Sequence, residues 1–285
     1  ISLVSNPLRR ARGSEKLLEV LWPKLKKIIV LDWRINSTAR HADYVLPATT
    51  QLEHLDVHAS YGHTYALINE PALAPLGESK PNTQIFRELA ACLGFTDACF
   101  ADSDEQLARA AFNPQWVDFE ALRAKGWVKL ALPEAPFAEG GFPTRNGKVQ
   151  VDVPSLGVPD HVPNYESRVS APELAQRYPL AMISPPARNF LNSSFANLPS
   201  FVAEERSPRL LIHPDDATPR RIVDGTSVKV HNDRGAFVAN AEVTDRARPG
   251  VVVAPSIWWR KLTPDGENAN AVTSQALTDL GRAAT

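Results

Sequence analysis

The sequence predicts an α/β domain with a partial parallel sheet, followed by an all-β domain that closes into a small barrel. In the first third of the chain, short apolar runs typical of buried strands alternate with amphipathic stretches typical of helices. This order favours a parallel sheet. In the last third, short segments of alternating apolar and polar residues are separated by Asp-Gly and Asp-Arg-Gly turns. Such a pattern is typical of a small closed β-barrel.

Length and charge narrow the class of protein. The 285 residues are enough for one large or two ordinary domains. The net charge is −1, from 31 basic and 32 acidic residues with no block of like charge, so no nucleic-acid partner is predicted. No apolar run approaches the roughly 20 residues that a membrane helix needs. Cys92 and Cys99 are predicted to be buried thiols in a reducing compartment, and a cytoplasmic location is expected.

Three regions are expected: an α/β domain over 1–112, a proline-rich connecting region over 113–172, and a β-barrel domain over 173–285. Ser14, Asn82 and Ser103 are predicted to cap helices. In the first region we predict strands at 1–4, 27–31 and 44–46 and helices at 15–21, 37–41, 83–93 and 104–112. The connecting region contains a predicted helix near 118–124 and a strand pair around 146–147. The last region contains predicted strands at 179–184, 209–213, 226–231, 236–244 and 250–255.

The stretch 30–47 gives the strongest functional signal. An apolar run over residues 28–31 stops at Asp32, and a polar turn with Asn36, Ser37 and Thr38 follows. Open α/β sheets bind ligands just beyond the carboxyl ends of their strands. A carboxylate there can accept paired hydrogen bonds from ribose hydroxyls or from a guanine edge. The alternative, a solvated Asp at a strand end, stays open on this pattern alone.

Several motifs resemble one family when they are taken in order. They are Asp32, Thr-Ala-Arg-His-Ala-Asp-Tyr-Val-Leu-Pro at 38–47, Glu53, Gly-Glu-Ser-Lys-Pro-Asn at 77–82, Ile-Phe-Arg-Glu-Leu-Ala at 85–90, Leu-Gly-Phe at 93–95 and Ile-Ser-Pro at 183–185. Their order and spacing resemble the molybdopterin oxidoreductases related to dimethyl sulfoxide reductase, which include formate dehydrogenases and nitrate reductases. The segment 96–178 matches this family weakly.

The resemblance implies a cofactor, which is a molybdenum or tungsten bis-molybdopterin guanine dinucleotide. It also implies that the last domain is a double-psi β-barrel, and that the chain is a C-terminal fragment. The metal ligand and an iron–sulfur cluster would then lie upstream of the part seen here. A small-molecule substrate and an electron-transfer partner are expected.

A second group of candidate residues follows the predicted strand that ends at Ser184. Arg188 can pair with a phosphate or carbonyl group, and Asn192, Ser193 and Ser194 offer amide and hydroxyl donors. By resemblance this loop contacts a pyranopterin and its pyrophosphate. The alternative is a polar surface loop.

The remaining candidates also rest on the resemblance. Asn270 matches an Asn near the family's end, although Asn268 competes for that assignment and a turn Asn is the alternative. Asn6 resembles the family's Asn at a strand end, which contacts the cofactor. Asn82 stands where some members have Asp, and His54 stands where nitrate reductases have Lys, which argues against nitrate as the substrate. The expected cofactor-binding set is Asn6, Leu31, Asp32, Thr38, His54, Asn82, Ser184, Arg188, Asn192, Ser193 and Asn270, with no catalytic residue and no protein-ligated metal.

Other chemistries lack their motifs. No Gly-x-Ser-x-Gly elbow, Gly-x-Gly-x-x-Gly turn or Walker loop occurs in the sequence. His54 and His58 have helical spacing but lie in a predicted loop, so they do not indicate a zinc site. The predicted function is two-electron transfer of an oxygen atom or hydride equivalent to or from a small substrate.

Two other classes of protein are alternatives to that function. One is a non-catalytic structural subunit of a respiratory complex that keeps the fold without the pterin. The polar residues Asp32, Thr38, Asn192 and Asn270 count against it, because an unoccupied site has no reason to keep them. The other is a stand-alone barrel that acts as a binding module, and the α/β region over 1–112 argues against it.

Overall fold

The computed structural model describes residues 2–3, 6–10, 16–154, 157–158 and 160–277. The chain divides into two compact units. The first comprises Ile1–Val4 and Lys27–Val153, and the second comprises Ser5–Lys26 and Pro154–Thr285.

The helices and strands have the following bounds. The α-helices are α1 (Pro7–Arg10), α2 (Asn82–Cys92), α3 (Asp104–Ala110), α4 (Phe119–Lys125), α5 (Pro172–Arg177), α6 (Pro199–Glu205) and α7 (Pro214–Ala217). The strands are β1 (Ser2–Leu3), β2 (Ile29–Asp32), β3 (Tyr44–Pro47), β4 (Asp56–Ala59), β5 (Tyr65–Asn69), β6 (Trp127–Lys129), β7 (Ala181–Ile183), β8 (Arg209–Ile212), β9 (Ser227–His231), β10 (Ala236–Val243) and β11 (Val251–Val253). Short 3-10 turns include Ala39–His41 and Ala269–Val272.

The first unit contains the predicted parallel sheet. Its strand order is β1-β2-β3, and both pairings are parallel. Val30 and Leu31 are 0% and 1% exposed, so the apolar run forms the centre of the sheet. Asp32 is the last residue of β2, and its position at the carboxyl end of a buried strand confirms the expectation from the sequence.

A second sheet of the first unit was not predicted. Strands β4, β5 and β6 form an antiparallel sheet in that order. His58, predicted in a loop, lies in β4. Ala66 of β5 packs with Leu122 of α4 and with Val117, which precedes that helix, so the sheet and this helix share one apolar core. β6 and α4 both come from the region predicted to be a connection.

Helix starts in the first unit agree with the sequence in one case and differ in another. Ser103 caps α3 as predicted, in a capping box with Gln106. Asn82 is not a cap, because α2 begins at Asn82 and Pro81 is the N-cap residue. The Pro81 carbonyl accepts the first helical hydrogen bond, from Ile85 N at 3.0 Å, and this moves the helix start by one residue.

Other local expectations were wrong or fall outside the described residues. Cys92 and Cys99 are exposed rather than buried, because the end of α2 and the turn after it lie at the surface. The segment around 146–147 forms a hydrogen-bonded turn and no strand pair in the described part of the chain. The helix predicted over 15–21 is a π-helix in its described part, Leu17–Leu21. Ile1, Val4, Ser14 and Glu15 lie outside the described residues.

The second unit contains the five strands predicted for the last region. They form one mixed sheet in the order β7-β11-β8-β10-β9. β8–β10 and β7–β11 pair in parallel, whereas β9–β10 and β8–β11 pair antiparallel. Buried residues that include Leu210, Ile212, Phe237 and Val252 form its apolar core. Closure of this sheet into a double-psi barrel stays a prediction.

A smaller apolar cluster lies beside the sheet of the second unit. Ala187, Phe190, Ala196 and Trp258 are buried together, and the Phe190 and Trp258 rings meet edge to face with centroids 5.0 Å apart. This cluster anchors the loop between β7 and α6, which contains several of the predicted site residues. Within the described ranges, no helix is both long and apolar enough to cross a membrane.

Candidate functional site

Asp32 lies at the carboxyl edge of the parallel sheet, where the turn after β2 folds back on it. Asp32 Oδ1 accepts a hydrogen bond from Arg34 N at 3.2 Å, and Oδ2 accepts one from Asn36 Nδ2 at 2.7 Å. Asn36 is 5% exposed, and its Oδ1 accepts from Ala39 N at 2.9 Å. The turn therefore holds the Asp32 carboxylate in one orientation. Asn36 was recognised in the sequence as a turn residue but not as a partner of Asp32.

Two other predicted residues are buried in this part of the first unit. Thr38 is fully buried and precedes the 3-10 turn Ala39–His41, where its carbonyl accepts from His41 N at 3.0 Å. Leu31 is 1% exposed inside the sheet.

The segment 79–82 runs beside the end of β3. Lys80 N donates to Pro47 O at 3.1 Å, and Thr49 N donates to Lys80 O at 3.2 Å. Pro47 is the pairing partner of Asp32 in the sheet register. The sheet therefore brings Asp32 and the segment that ends at Asn82 to the same edge.

Two polar atoms of this segment are buried without a partner. Asn82 Oδ1 and Ser79 Oγ are shielded from solvent and make no hydrogen bond within the structure described. Buried polar groups are normally hydrogen-bonded, so each exception calls for an explanation. Asn82 was a predicted site residue. Ser79 was missed, because a serine in a polar loop gives no distinct sequence signal.

His54 is joined to the same edge through a threonine. Its Nδ1 lies 2.9 Å from Thr49 Oγ1, and Thr49 is 7% exposed. The neighbouring Glu53 carboxylate accepts from Thr50 N and Thr50 Oγ1, at 2.7 and 2.8 Å, and from Leu76 N at 2.7 Å. These hydrogen bonds, first of all the one from the Thr50 backbone, lower the pKa of Glu53 below its ordinary value. Glu53 thus ties the loop before β4 to the segment before Ser79.

In the second unit, four predicted residues lie on the loop between β7 and α6. Ser184 Oγ donates to Ala254 O at 3.0 Å, which fixes the start of the loop. Arg188 is exposed and forms no ion pair with another described residue. Asn192 is exposed and has a φ of 52°, in the left-handed region that Asn tolerates better than most residues. Ser193 O accepts from Trp259 Nε1 at 2.8 Å.

A buried glutamate, which was not predicted, supports this loop. Glu205 is 3% exposed, and its Oε1 accepts from Asn189 N at 2.7 Å and from Asn189 Nδ2 at 3.0 Å. Its Oε2 lies 3.5 Å from Arg209 Nη2. Glu205 and Asn189 are brought together by tertiary packing, so no local sequence pattern could have revealed this contact.

The segment around Asn270 lies near the same loop. Asn268 Nδ2 donates to Trp258 O at 3.1 Å, and Asn268 Oδ1 accepts from Asn270 N at 3.0 Å. Both ends of the Asn268 amide are therefore committed to the chain itself. Trp258 also contacts Phe190, so these tryptophan contacts join the Asn270 segment to the β7–α6 loop.

Asn6, the last predicted residue, is 5% exposed and directly precedes α1. It belongs to the second unit by its backbone contacts. No group of three or more His, Cys, Asp or Glu side chains among the described residues is arranged to hold a metal ion.

Comparison with known protein families identifies both ends of the chain. Residues 5–92 match the family described as Molybdopterin oxidoreductase, and residues 180–285 match the Molydopterin dinucleotide binding domain. The first match contains the Asp32 turn and Asn82. The second contains the β7–α6 loop and Asn270. These matches identify a molybdopterin dinucleotide as the cofactor class.

Several curated relatives match almost the whole chain. "Probable oxidoreductase YoaE" of Bacillus subtilis is 35% identical over 99% of this chain and 42% of its own length. "Biotin sulfoxide reductase" of Cereibacter sphaeroides is 30% identical over 98% of this chain and 41% of its own length. The "Dimethyl sulfoxide/trimethylamine N-oxide reductase" of Rhodobacter capsulatus is 31% identical over 87% of this chain and 34% of its own length. The chain thus spans 34–42% of the length of these relatives.

A solved structure has the same fold. The acetylene hydratase from Pelobacter acetylenicus superimposes with a TM-score of 0.80, at 22% identity, over 96% of this chain and 40% of its own chain. At that identity the likeness concerns the fold alone. The two family matches together cover most of the chain and the named reductases match it along almost its whole length, and we conclude that the chain belongs to the molybdopterin oxidoreductase family, among the relatives of dimethyl sulfoxide reductase.

Proposed function

We propose that this chain is the C-terminal, cofactor-binding part of a molybdenum or tungsten bis-molybdopterin guanine dinucleotide oxidoreductase. The whole enzyme would transfer an oxygen atom or a hydride equivalent, with two electrons, to or from a small substrate. When bound, the cofactor supplies the redox chemistry at its metal, and the protein supplies binding and orientation. The residues described here bind and orient the dinucleotide and take no part in proton or electron transfer themselves.

The observation on which this proposal rests is the unpaired Asn82 Oδ1 beside the carboxyl edge of the parallel sheet. An acceptor oxygen buried without a donor costs about 1–3 kcal/mol. A guanine ring offers N–H donors on its pairing edge, and one of them would satisfy this oxygen. The residues present therefore fit the nucleotide end of the cofactor.

Asp32 supports the same assignment. A carboxylate has about four lone-pair sites, and the turn uses Oδ1 for Arg34 N and Oδ2 for Asn36 Nδ2. Each oxygen keeps the capacity to accept a further donor from a ribose hydroxyl or a guanine N–H. Because the turn fixes the carboxylate before any ligand arrives, little conformational entropy is lost on binding.

Arg188 is the proposed phosphate ligand in the second unit. Its guanidinium makes no ion pair with another described residue, and arginine pairs well with phosphate oxygens. Ser193 and Asn192 would add hydroxyl and amide donors to the same pyrophosphate. Asn270, which matches an Asn near the family's end, is the proposed contact to a pterin edge, because an amide offers both a donor and an acceptor.

Other parts of the sequence-based prediction are retained as proposals. They include the domain boundaries 1–112, 113–172 and 173–285 and closure of the last domain into a double-psi barrel. They also include cofactor binding by the remaining site residues, which are Asn6, Leu31, Thr38, His54 and Ser184. We also propose an iron–sulfur cluster elsewhere in the full-length protein and a separate electron-transfer partner.

The proposal is tested by metal and pterin analysis of the purified full-length protein, together with oxidation of a reduced dye by S-oxides and N-oxides. We expect molybdenum or tungsten, a fluorescent oxidised pterin, and turnover of at least one oxide. A folded protein that contains neither metal nor pterin would favour the alternative of a non-catalytic structural subunit. If the loaded protein reduces no oxide but oxidises formate, the reaction is hydride-equivalent transfer rather than oxygen-atom transfer.

A further inference from the structure

A buried carboxylate in the second unit has no role in the function proposed so far. Glu205 ends α6 and is 3% exposed. Burial of a carboxylate is costly unless hydrogen bonds and an opposite charge compensate for the lost solvation. The contacts that compensate for the burial of Glu205 therefore indicate what the residue does.

Both nitrogen donors of one loop residue point to Glu205. Oε1 accepts from the backbone N and from Nδ2 of Asn189, at 2.7 and 3.0 Å. The N–H of Asn189 belongs to the peptide that links it to Arg188, and a peptide group is planar. Its hydrogen bond to Glu205 therefore fixes the plane of the peptide group that includes the Arg188 Cα, the atom from which the Arg188 side chain departs.

The second oxygen of Glu205 connects to the sheet. Oε2 lies 3.5 Å from Arg209 Nη2, and Arg209 Nη1 lies 3.0 Å from Glu242 Oε2. Arg209 is the first residue of β8, and Glu242 lies in the paired strand β10. Glu205 thus links the Arg188–Asn189 peptide to the sheet of the second unit.

We propose that Glu205 is a positioning residue that presents Arg188 to the cofactor's pyrophosphate. This inference rests on the function proposed above. Because the exposed Arg188 guanidinium has no ion-pair partner in the described part of the chain, its placement depends on the backbone that carries it. Glu205 fixes that backbone, and Glu205 itself touches neither phosphate nor metal.

The test compares the rate of pterin release from the full-length holoenzyme in mild urea for the wild type and for Glu205→Gln. Glutamine keeps the shape but replaces charge-assisted hydrogen bonds by neutral ones, which are about half as strong. We expect release to be about tenfold faster, which corresponds to a loss of about 1.4 kcal/mol. Glu204→Gln is the matched control, because it removes the same charge from the adjacent, exposed residue of the same helix. It should release pterin at the wild-type rate.

A double-mutant cycle distinguishes positioning from a general loss of stability. If Glu205 acts through Arg188, adding Glu205→Gln to Arg188→Ala should not accelerate release beyond that of Arg188→Ala alone. Additive effects would overturn the proposal, as would unchanged release from Glu205→Gln. Asn189→Ala, which removes only the Nδ2 bond, provides a milder variant if Glu205→Gln folds poorly, and it should give an intermediate rate. A wild-type protein without pterin would instead contradict the proposed function.

Discussion

Asn36 donates a hydrogen bond from Nδ2 to Asp32 Oδ2 at 2.7 Å and accepts one from Ala39 N at its Oδ1. The side chain of one buried residue therefore sets both the orientation of the carboxylate and the start of the following 3-10 turn. Hydrogen bonds within the turn itself thus orient the Asp32 carboxylate.

The first prediction concerns that buried amide. Asn36→Ala removes the bond to Asp32 and leaves the Ala39 N–H without its acceptor. We expect the free energy of unfolding to fall by about 1–3 kcal/mol, the cost of an unsatisfied buried group. Urea denaturation followed by circular dichroism measures this change. A stability equal to that of the wild type would show that Asn36 does not organise the turn.

The second prediction concerns Asp32 itself. Asp32→Asn keeps the shape but removes the charge, so each remaining hydrogen bond to a ribose or guanine donor becomes weaker. Pterin release from the holoenzyme should become about fivefold faster, since the difference between a charged and a neutral hydrogen bond is about 1 kcal/mol. Asp43→Asn is the matched control. Asp43 accepts from Ile28 N at 2.7 Å beside the opposite, amino end of the same sheet. If both variants lose pterin equally fast, Asp32 is not a cofactor ligand.

The third prediction concerns a close approach in the second unit. A Cβ on Gly235 would lie 2.8 Å from the Ala271 carbonyl oxygen, in the 3-10 turn that contains Asn270. Gly235→Ala should displace this turn, lower stability by about 1–3 kcal/mol through overpacking, and accelerate pterin release. Thermal unfolding of the apoprotein and release from the holoenzyme measure the two effects separately. Wild-type values in both would contradict the observed packing of Ala271 on Gly235.

The fourth prediction concerns pH. Hydrogen bonds from Thr50 and Leu76 lower the pKa of Glu53 in the folded protein. Glu53 therefore stabilises the fold above the ordinary carboxyl pKa of about 4.3, and this contribution is lost as the pH falls through the lowered pKa. Glu53→Gln should unfold at a lower temperature than the wild type at neutral pH, and the difference should shrink in acid. Calorimetry at several pH values tests this, and a difference that is independent of pH would rule out the carboxylate as its source.

The sequence predicted elements whose signal is local. β2 ends at Asp32 because an apolar run stops there, and the five strands of the second unit follow the period of two in their residues. Ser103 was recognisable as a cap because Gln106 follows at the spacing of a capping box. These features depend on residues that are only a few positions apart in the sequence.

Features that depend on tertiary packing were missed. The β4-β5-β6 sheet was not predicted, because β6 joins it only after three intervening α-helices, and β4 contains the polar pair Asp56 and His58. The contact between Glu205 and Asn189 and the isolation of Ser79 Oγ likewise depend on how distant segments pack. Asp32 and Asn82 could be selected as candidates from sequence motifs, whereas their position at one edge of the sheet depends on the pairing of the segment after β3 with residues 79–82.

The central claim is that this chain binds a guanine dinucleotide form of molybdopterin through Asn82 and Asp32. Its most direct test is the amount of GMP released by mild acid hydrolysis from the purified full-length protein, measured beside its molybdenum or tungsten content. We expect the wild type to release GMP together with metal, and an Asn82→Leu variant of equal fold to release much less. A metal-loaded wild-type protein that releases no GMP would contradict the claim.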